Sequence, residues 1–243
     1  MTAAIVQTVV ATTTSTAAAS LSAAITPASG NLLVAYLTIK LATGTVTFTG
    51  GDVVWSFINE IPSSGTVVQV SAWSAIPTAS TAVSVDVTYT GSGGTGGKAA
   101  LTVSEFTLHN GVGVSTIGTV AGASTLISVP LVTTSANAAI LTSHGAPNAT
   151  LEGNLPTGYS SLAGDSVLGA GNDFSYQLAG TSDGGAAGTH TVQWGANPGT
   201  SIPGGRRVIA IEIIPAATVS FNYNLLEHRV MRGAGRAVMR GVA

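Results

Sequence analysis

Apolar and polar positions alternate with a period of two over much of this chain. Between residues 82 and 89, Val83, Val85, Val87 and Tyr89 fall on one face, with Ser84, Asp86 and Thr88 on the other. Val46 and Phe48 alternate in the same way with Thr45, Thr47 and Thr49. Such alternation predicts half-buried antiparallel strands that face a core on one side. Leu32 to Ile39 and Val208 to Ile214 are apolar on both faces instead, the pattern of central strands. Further strands are predicted at 3–10, 16–25, 53–58, 66–75, 97–108, 124–132, 137–143, 172–179 and 188–195. Gly-rich turn signals separate them at 49–52, 91–97, 169–173, 182–188 and 198–205. No long 3.6-residue pattern precedes residue 222, so the body is predicted to be all-β. Many short strands with Gly-rich turns imply a sandwich or a barrel.

The strand pattern repeats. Gly30-Asn31-Leu32-Leu33-Val34 is answered 106 residues later by Ala136-Asn137-Ala138-Ala139-Ile140. Gly97-Lys98 running to Val103-Ser104-Glu105-Phe106 is answered 107 residues later by Gly204-Gly205 running to Ile211-Glu212-Ile213. Two related halves, about 15–110 and 124–216, thus make up a body of residues 1–217. Two keys of one strand order fit a single antiparallel β-sandwich of jelly-roll type. Two small tandem sandwiches are the competing arrangement. The join at Gly118 to Leu126 is short and apolar, unlike a linker between independent domains, and favours the single sandwich.

Composition narrows the function classes. Charged residues are 7% of the chain, against a typical quarter, and apolar residues are 45%, the reverse of a disordered composition. With no cysteine there is no disulfide framework and no thiolate metal site. Met1 to Ile25 lacks a basic n-region and is broken by Thr12, Thr13 and Thr14, so it does not read as a signal peptide. No eighteen-residue apolar run predicts a membrane span. Charge is unevenly placed. Residues 1–205 hold two lysines against eight carboxylates, a net charge of −6, and residues 206–243 hold six arginines against two, a net of +4. Such asymmetry marks an interaction end.

Candidate chemistry in the body is sparse. By parity Glu105 shares a face with Leu101 and Val103, and Glu212 with Val208, Ala210 and Ile214. A carboxylate on an apolar face needs a partner. The pair reads either as buried glutamates bonded to backbone or to Lys98 and Arg206, which is favoured, or as the two carboxylates of a glycosidase. His109, His144, His190 and His228 lack a zinc spacing. Asn172-Asp173 and Ser182-Asp183 are not a calcium loop, and no nucleophile elbow or phosphate cradle is present. Trp55, Trp73 and Trp194 are expected as core anchors rather than as platforms for sugar rings. No cofactor and no metal are expected.

The strongest local signal is the segment 218–243. Val230-Met231-Arg232-Gly233 recurs as Val238-Met239-Arg240-Gly241, with Arg229 and Arg236 interleaved. A short helix over Asn224 to Met231 is compatible with Leu225, Leu226 and Arg229 on one stripe. Gly233, Gly235 and Gly241 disfavour continuing it, at about 1 kcal/mol each. An extended basic arm that adds to a partner fits better than a frayed tail. Its contact residues are Leu225, Leu226, Arg229, Val230, Met231, Arg232, Arg236, Val238, Met239 and Arg240. Nucleic acid ranks last among partners, because no aromatic platform or basic groove accompanies the arginines.

The order Gly30-Asn31-Leu32-Leu33-Val34-Ala35, Trp55, the 66–75 strand with Trp73, the Glu105 strand, Pro156-Thr157-Gly158-Tyr159 and Ile211-Glu212-Ile213-Ile214-Pro215 resembles the jelly-roll modules of tailed-phage virion proteins and some bacterial surface proteins. The resemblance covers roughly residues 15–216. It departs at Ser56 and Phe57, which follow the first tryptophan without the usual long polar loop. It implies a non-enzymatic structural role on the exterior of a virion: a capsid decoration (cement) protein first, a fibre or tail-tip subunit next. The expected partners are other virion proteins, with a homotrimer favoured. A carbohydrate-binding or carbohydrate-cleaving jelly roll is the alternative.

Overall fold

The computed structural model describes residues 2–15, 20–40, 46–50, 53–62, 68–89, 98–120, 126–147, 154–167, 174–195 and 205–217. Those residues form strands β1 (Ala4–Thr13), β2 (Ser20–Ile25), β3 (Leu32–Ile39), β4 (Val46–Thr49), β5 (Ser56–Ile61), β6 (Gln69–Ala75), β7 (Val83–Tyr89) and β8 (Ala99–Thr107) in the first half. The second half has β9 (His109–Val120), β10 (Leu126–Thr133), β11 (Ala139–Ala146), β12 (Ser160–Val167), β13 (Phe174–Thr181), β14 (Gly188–Gly195) and β15 (Arg206–Pro215). The predicted all-β antiparallel, sandwich-like architecture of two related halves is what forms.

Sheet order shows how the halves are related. The first half has a five-stranded sheet, β1-β8-β3-β6-β5, and a three-stranded sheet, β2-β7-β4. The second repeats it as β9-β15-β11-β13-β12 and β10-β14, and an isolated bridge, Asn154 to Gly195, stands where β4 meets β7. Each half therefore winds as its own jelly roll, the first strand beside the last and the second beside the seventh. No sheet among the described residues mixes strands of the two halves, so the single roll shared by two keys gives way to one roll per half. The physical reason lies at the junction. Residues 109–120 are a twelve-residue strand, so the join expected at Gly118 to Leu126 starts inside it, and the chain passes from β8 to β9 through Leu108 alone, at φ 55°.

Three cores fill this stack of four sheets. Val85, Val87, Phe48 and Ala23 of the three-stranded sheet meet Leu33, Leu37, Leu101 and Val103. Ile127, Val129, Val192 and Trp194 meet Ile140, Val208 and Ala210 in the second half. The largest core lies between the two five-stranded sheets, where Val34, Tyr36, Val70 and Phe106 pack on Leu141, Tyr176, Ile209 and Ile211. The five-stranded sheets are thus covered on both faces, which is why all eight residues of β3, β8 through Phe106, and all of β11 are buried. The Tyr36 hydroxyl crosses this interface and donates to the Leu141 carbonyl at 3.1 Å. Backbones approach closely there too: a Cβ on Gly145 would stand 3.1 Å from methyls of Thr38, Val68 and Val70.

The halves pack reciprocally. β1 lies against β12, the counterpart of β5, and β5 lies against β9, the counterpart of β1. This is the self-complementary geometry of a two-fold dimer, here within one chain. Asn59 of β5 donates to the Ser115 hydroxyl of β9 at 3.0 Å across one seam. All strand ends of one kind lie at a common pole, because Lys40 after β3 reaches the Pro147 carbonyl after β11 at 2.9 Å. The opposite pole carries the short loops 26–31, 76–82 and 134–138, and the described chain leaves it at Ala217.

A shared central core predicts one cooperative unfolding transition for both halves, with equal calorimetric and van't Hoff enthalpies. Leu141→Ala, in that core, should cost about 2–5 kcal/mol, roughly 2–4 °C of Tm per kcal/mol for a chain of this size. Scanning calorimetry that resolved two separate transitions would show instead that the rolls stand alone.

Candidate functional site

The most suggestive side chains of the sequence, Glu105 and Glu212, occupy equivalent places near the ends of β8 and β15. Strand parity aims them at different cores. Phe106 faces the central core while Leu101 and Val103, with Glu105, face the outer sheet of the first half. Ile211 and Ile213 face the central core, while Val208 and Ala210, with Glu212, face the outer sheet of the second. Both five-stranded sheets, about 10 Å apart face to face, stand between the two carboxylates. They do not converge on one substrate, so an acid and nucleophile pair does not form from them.

Each carboxylate fastens a loop. Glu105, 1% exposed, accepts from the Ala28 backbone N–H at 2.7 Å, from Asn31 Nδ2 at 2.7 Å and from Gln7 Nε2. Burial alone would raise its pKa; these three donors outweigh it and hold the carboxyl below its ordinary value. Glu212, fully buried, accepts from the backbone N–H of Thr134 and of Ser135, each at 2.9 Å, and from that of Val114 at 3.1 Å. The Thr134 hydroxyl adds a further bond at 3.1 Å. Lys98 and Arg206, the cationic partners considered from sequence, lie at the opposite ends of the same strands, about 20 Å away at ~3.3 Å per residue.

The fastened loops hold their neighbours in turn. Gly30 N–H donates to the Pro77 carbonyl at 2.8 Å, and Asn137 N–H to the Gly185 carbonyl at 2.6 Å. Both donors sit at positive φ, 79° for Gly30 and 58° for Asn137; glycine and asparagine enter that region most readily. His109 joins the halves here. Its Nδ1 accepts from Gly111 N–H, which leaves Nε2 to donate to the Gly30 carbonyl, both at 3.0 Å. Ala216 N–H donates to the Leu108 carbonyl at 2.7 Å beside it. The pole from which the chain leaves is thus tied together by side-chain and backbone bonds.

Sequence reasoning missed Gln7 and Gly113. Gln7 lies opposite Glu105 in the β1–β8 register, and Gly113 stands 106 residues later, against Glu212. A Cβ at Gly113 would overlap the Glu212 carboxylate, so the second half replaces a side-chain donor with a backbone one. The repeat offset was the signal that could have found both.

The other candidates scatter. Trp194 is fully buried, donates Nε1 to Thr142 Oγ1 at 3.1 Å, and stacks on His144 with ring centres 5.3 Å apart. Trp55 and Trp73 come together with Phe48 and Phe57: Phe48 lies 5.4 Å from Trp55 and 5.2 Å from Trp73, and Phe57 stands edge-on to Trp73 at 5.2 Å. Phe57 is 56% exposed. The indole N–H groups of Trp55 and Trp73 have no hydrogen-bond partner among the described residues. His190 holds a turn through Thr133 and the Ala186 carbonyl, and the Asp183 carboxylate accepts from Gly185 N–H at 2.8 Å. Among the described residues no cluster of three metal-ligating side chains forms, and no helix is long and apolar enough to cross a membrane. Residues 91–97, Asn172, Asp173 and His228 lie outside the described residues, as do all ten contact residues of the predicted arm, Leu225 to Arg240. Arg206 and Arg207 correct the charge reading. They open β15 and are buried in the body, so the basic segment proper is 218–243, four arginines against Glu227, a net of +3.

Burial, and then the charge of Arg206, lower the His144 pKa from its ordinary 6.5 to about 3. The folded chain therefore keeps His144 neutral where the unfolded chain takes up a proton. Its contribution to stability is complete above about pH 6.5 and is lost progressively down to about pH 3. Glu105, also depressed, adds a loss below about pH 4.3. The Tm should fall as pH drops from 7 to 4, less steeply in His144→Phe, which keeps the aromatic stack; equal slopes would refute this. Glu105→Gln and Gly113→Val should each destabilise at pH 7, by about 1–3 kcal/mol, measured by thermal circular dichroism. Comparison of the chain with protein-family models, with curated proteins and with solved structures finds no match in any of the three.

Proposed function

We propose that this is a non-enzymatic structural protein of a virion exterior, a β body fixed to its particle by the basic arm 218–243. A capsid decoration (cement) protein is the first form of this reading and a fibre or tail-tip subunit the second, with other virion proteins as partners and a homotrimer favoured. The observation that carries it is the exit of the chain. The arm leaves from the pole where Glu105, Glu212 and His109 bind the loops together, so a rigid base stands behind a segment rich in Arg, Leu, Val and Met. The low-charge body and the phage jelly-roll resemblance support the same reading. The aromatic group of Trp55, Trp73 and Phe57 favours a glycan-binding version of the body as a second reading. A tryptophan fluorescence change with oligosaccharides would support it.

Deleting 218–243 should leave the body folded and abolish attachment, read by co-sedimentation with the particle. Truncated protein that sediments as well as the full chain ends the arm hypothesis. Across a salt series attachment should weaken only modestly, since exposed charges are screened over about 8–10 Å while apolar burial contributes ~25 cal/mol per Å² without charge. Leu226→Asp should therefore harm attachment more than Arg236→Ala. Full release by moderate salt with Leu226→Asp harmless would leave a purely electrostatic tail.

A further inference from the structure

The reciprocal packing of the halves leaves one crevice at each seam, both at the pole where the chain exits. One, of about 410 Å³, lies between β5–β6 and β9 and is lined by Leu32, Val54, Ala75, Ile76 and Val112. Its counterpart, about 390 Å³, lies between β12–β13 and β1 and is lined by Gly158, Ser160, Thr181 and Ser182 together with Ile5 and Leu162. Because the fold makes both, each serves as a control for the other. Among the described residues only the first is lined by large exposed apolar side chains: Val54 is 87% exposed and Ile76 51%. Solvating that rim is unfavourable, and nothing in the fold requires it, because the sister crevice does without.

The chain itself supplies a matching segment. Beyond Ala217, Val219, Phe221 and Tyr223 alternate with Ser220, Asn222 and Asn224, a period-two pattern with one apolar face and no charge. The exit point selects the crevice. Ala216 is bonded to Leu108, and β9, which lines the first crevice, is the immediate neighbour of β15. The strand β12 of the other lies three strand spacings from β15, about 14 Å. Four residues from Ala217 to Phe221 span up to about 14 Å when extended, while Leu108 to Val112 is four residues along β9, about 13 Å. Phe221 is therefore within reach of the first crevice on its own chain.

We propose that residues 219–223 dock in the crevice between β5–β6 and β9 of the same chain, with Phe221 against Val54 and Ile76. This roots the arm on the seam between the two rolls and leaves Leu225 onward free for an external partner. The inference does not require that partner to be a virion, and its test uses the isolated protein.

The absence of cysteine from the chain makes the test direct. Full-length Val54→Cys/Phe221→Cys is oxidised at low concentration, and Val132→Cys/Phe221→Cys is the comparison, Val132 being 57% exposed on β10, outside the crevice but toward the same pole. Non-reducing gels and mass spectrometry of the linked peptides read the result. The 54–221 pair should link within one chain in most molecules and the 132–221 pair in few, and adding Ile76→Asp should cut the first yield several-fold. Equal yields for both pairs would mean a roaming arm. Linkage of 54 to 221 only between chains would assign the crevice to a second copy, and no linkage would empty it; each of these overturns the proposal.

Discussion

Everything in this fold depends on the two five-stranded sheets having to bury both of their faces. A sheet in a simple sandwich hides one face and wets the other, and its strands alternate. Here the central core takes one face of each five-stranded sheet, and an outer sheet takes the other. The residues of β3, β11 and most of β8 therefore have no exposed side on which to place a charge. The 7% charged content follows from this layering more directly than from any ligand. So do the small residues: Gly145 in β11 lets the central sheets approach, and a Cβ at Gly118 in β9 would overlap Val129 in β10.

The same constraint explains which parts of the fold were legible in the sequence. The alternating strands β4 and β7 and the doubly apolar β3 and β15 are local patterns, and local patterns can be read from residues alone. β9 is missing from the predicted strands, none of which lies between 108 and 124, and Gly111, Gly113 and Gly118 interrupt its apolar pattern. Gly113 and Gly118 are there because Glu212 and Val129 come from other strands to occupy the missing side-chain volume, and Gly111 sits at φ 92°. β12 was overlooked for a related reason: it is a polar edge strand, Ser160 to Val167, paired on one side only. With β9 unread, the two halves looked like two keys of one roll rather than two rolls. The facing of Glu105 and Glu212 followed correctly from parity. Their partners did not, because Gln7 and Val114 are each 98 residues from the carboxylate they meet.

Those two carboxylates show how one geometric need is met twice with different chemistry. The loop entering the third strand of each roll presents backbone N–H groups to a region closed off from water, where an unmet donor costs about 1–3 kcal/mol. In the first half one backbone N–H and two side-chain amides meet the carboxylate. In the second, three backbone N–H groups and a hydroxyl do. A residue that looks catalytic by its rarity on an apolar face is here the buried acceptor that fastens a tight surface loop.

Assigning Arg206 and Arg207 to β15 changes how the molecule's polarity works. Without them the segment 218–243 has a net charge of +3, and the body of residues 1–217 becomes −5. The contrast in sign survives, yet the segment's charge is now concentrated between Glu227 and Arg240, beyond an uncharged stretch from Thr218 to Leu226. A basic segment joined directly to an acidic body would be drawn back onto it, at distances within a Debye length of roughly 8–10 Å. Nine uncharged residues reach up to about 30 Å when extended, several screening lengths, and with 219–223 docked the last three, Asn224 to Leu226, still span about 10 Å, one screening length. Whatever fixes the near end of that stretch decides whether the spacing is realised, because a loose spacer lets the arginines return and an anchored one directs them outward. The pole of fastened loops is thus where the electrostatics of the arm and the packing of the two rolls become one problem.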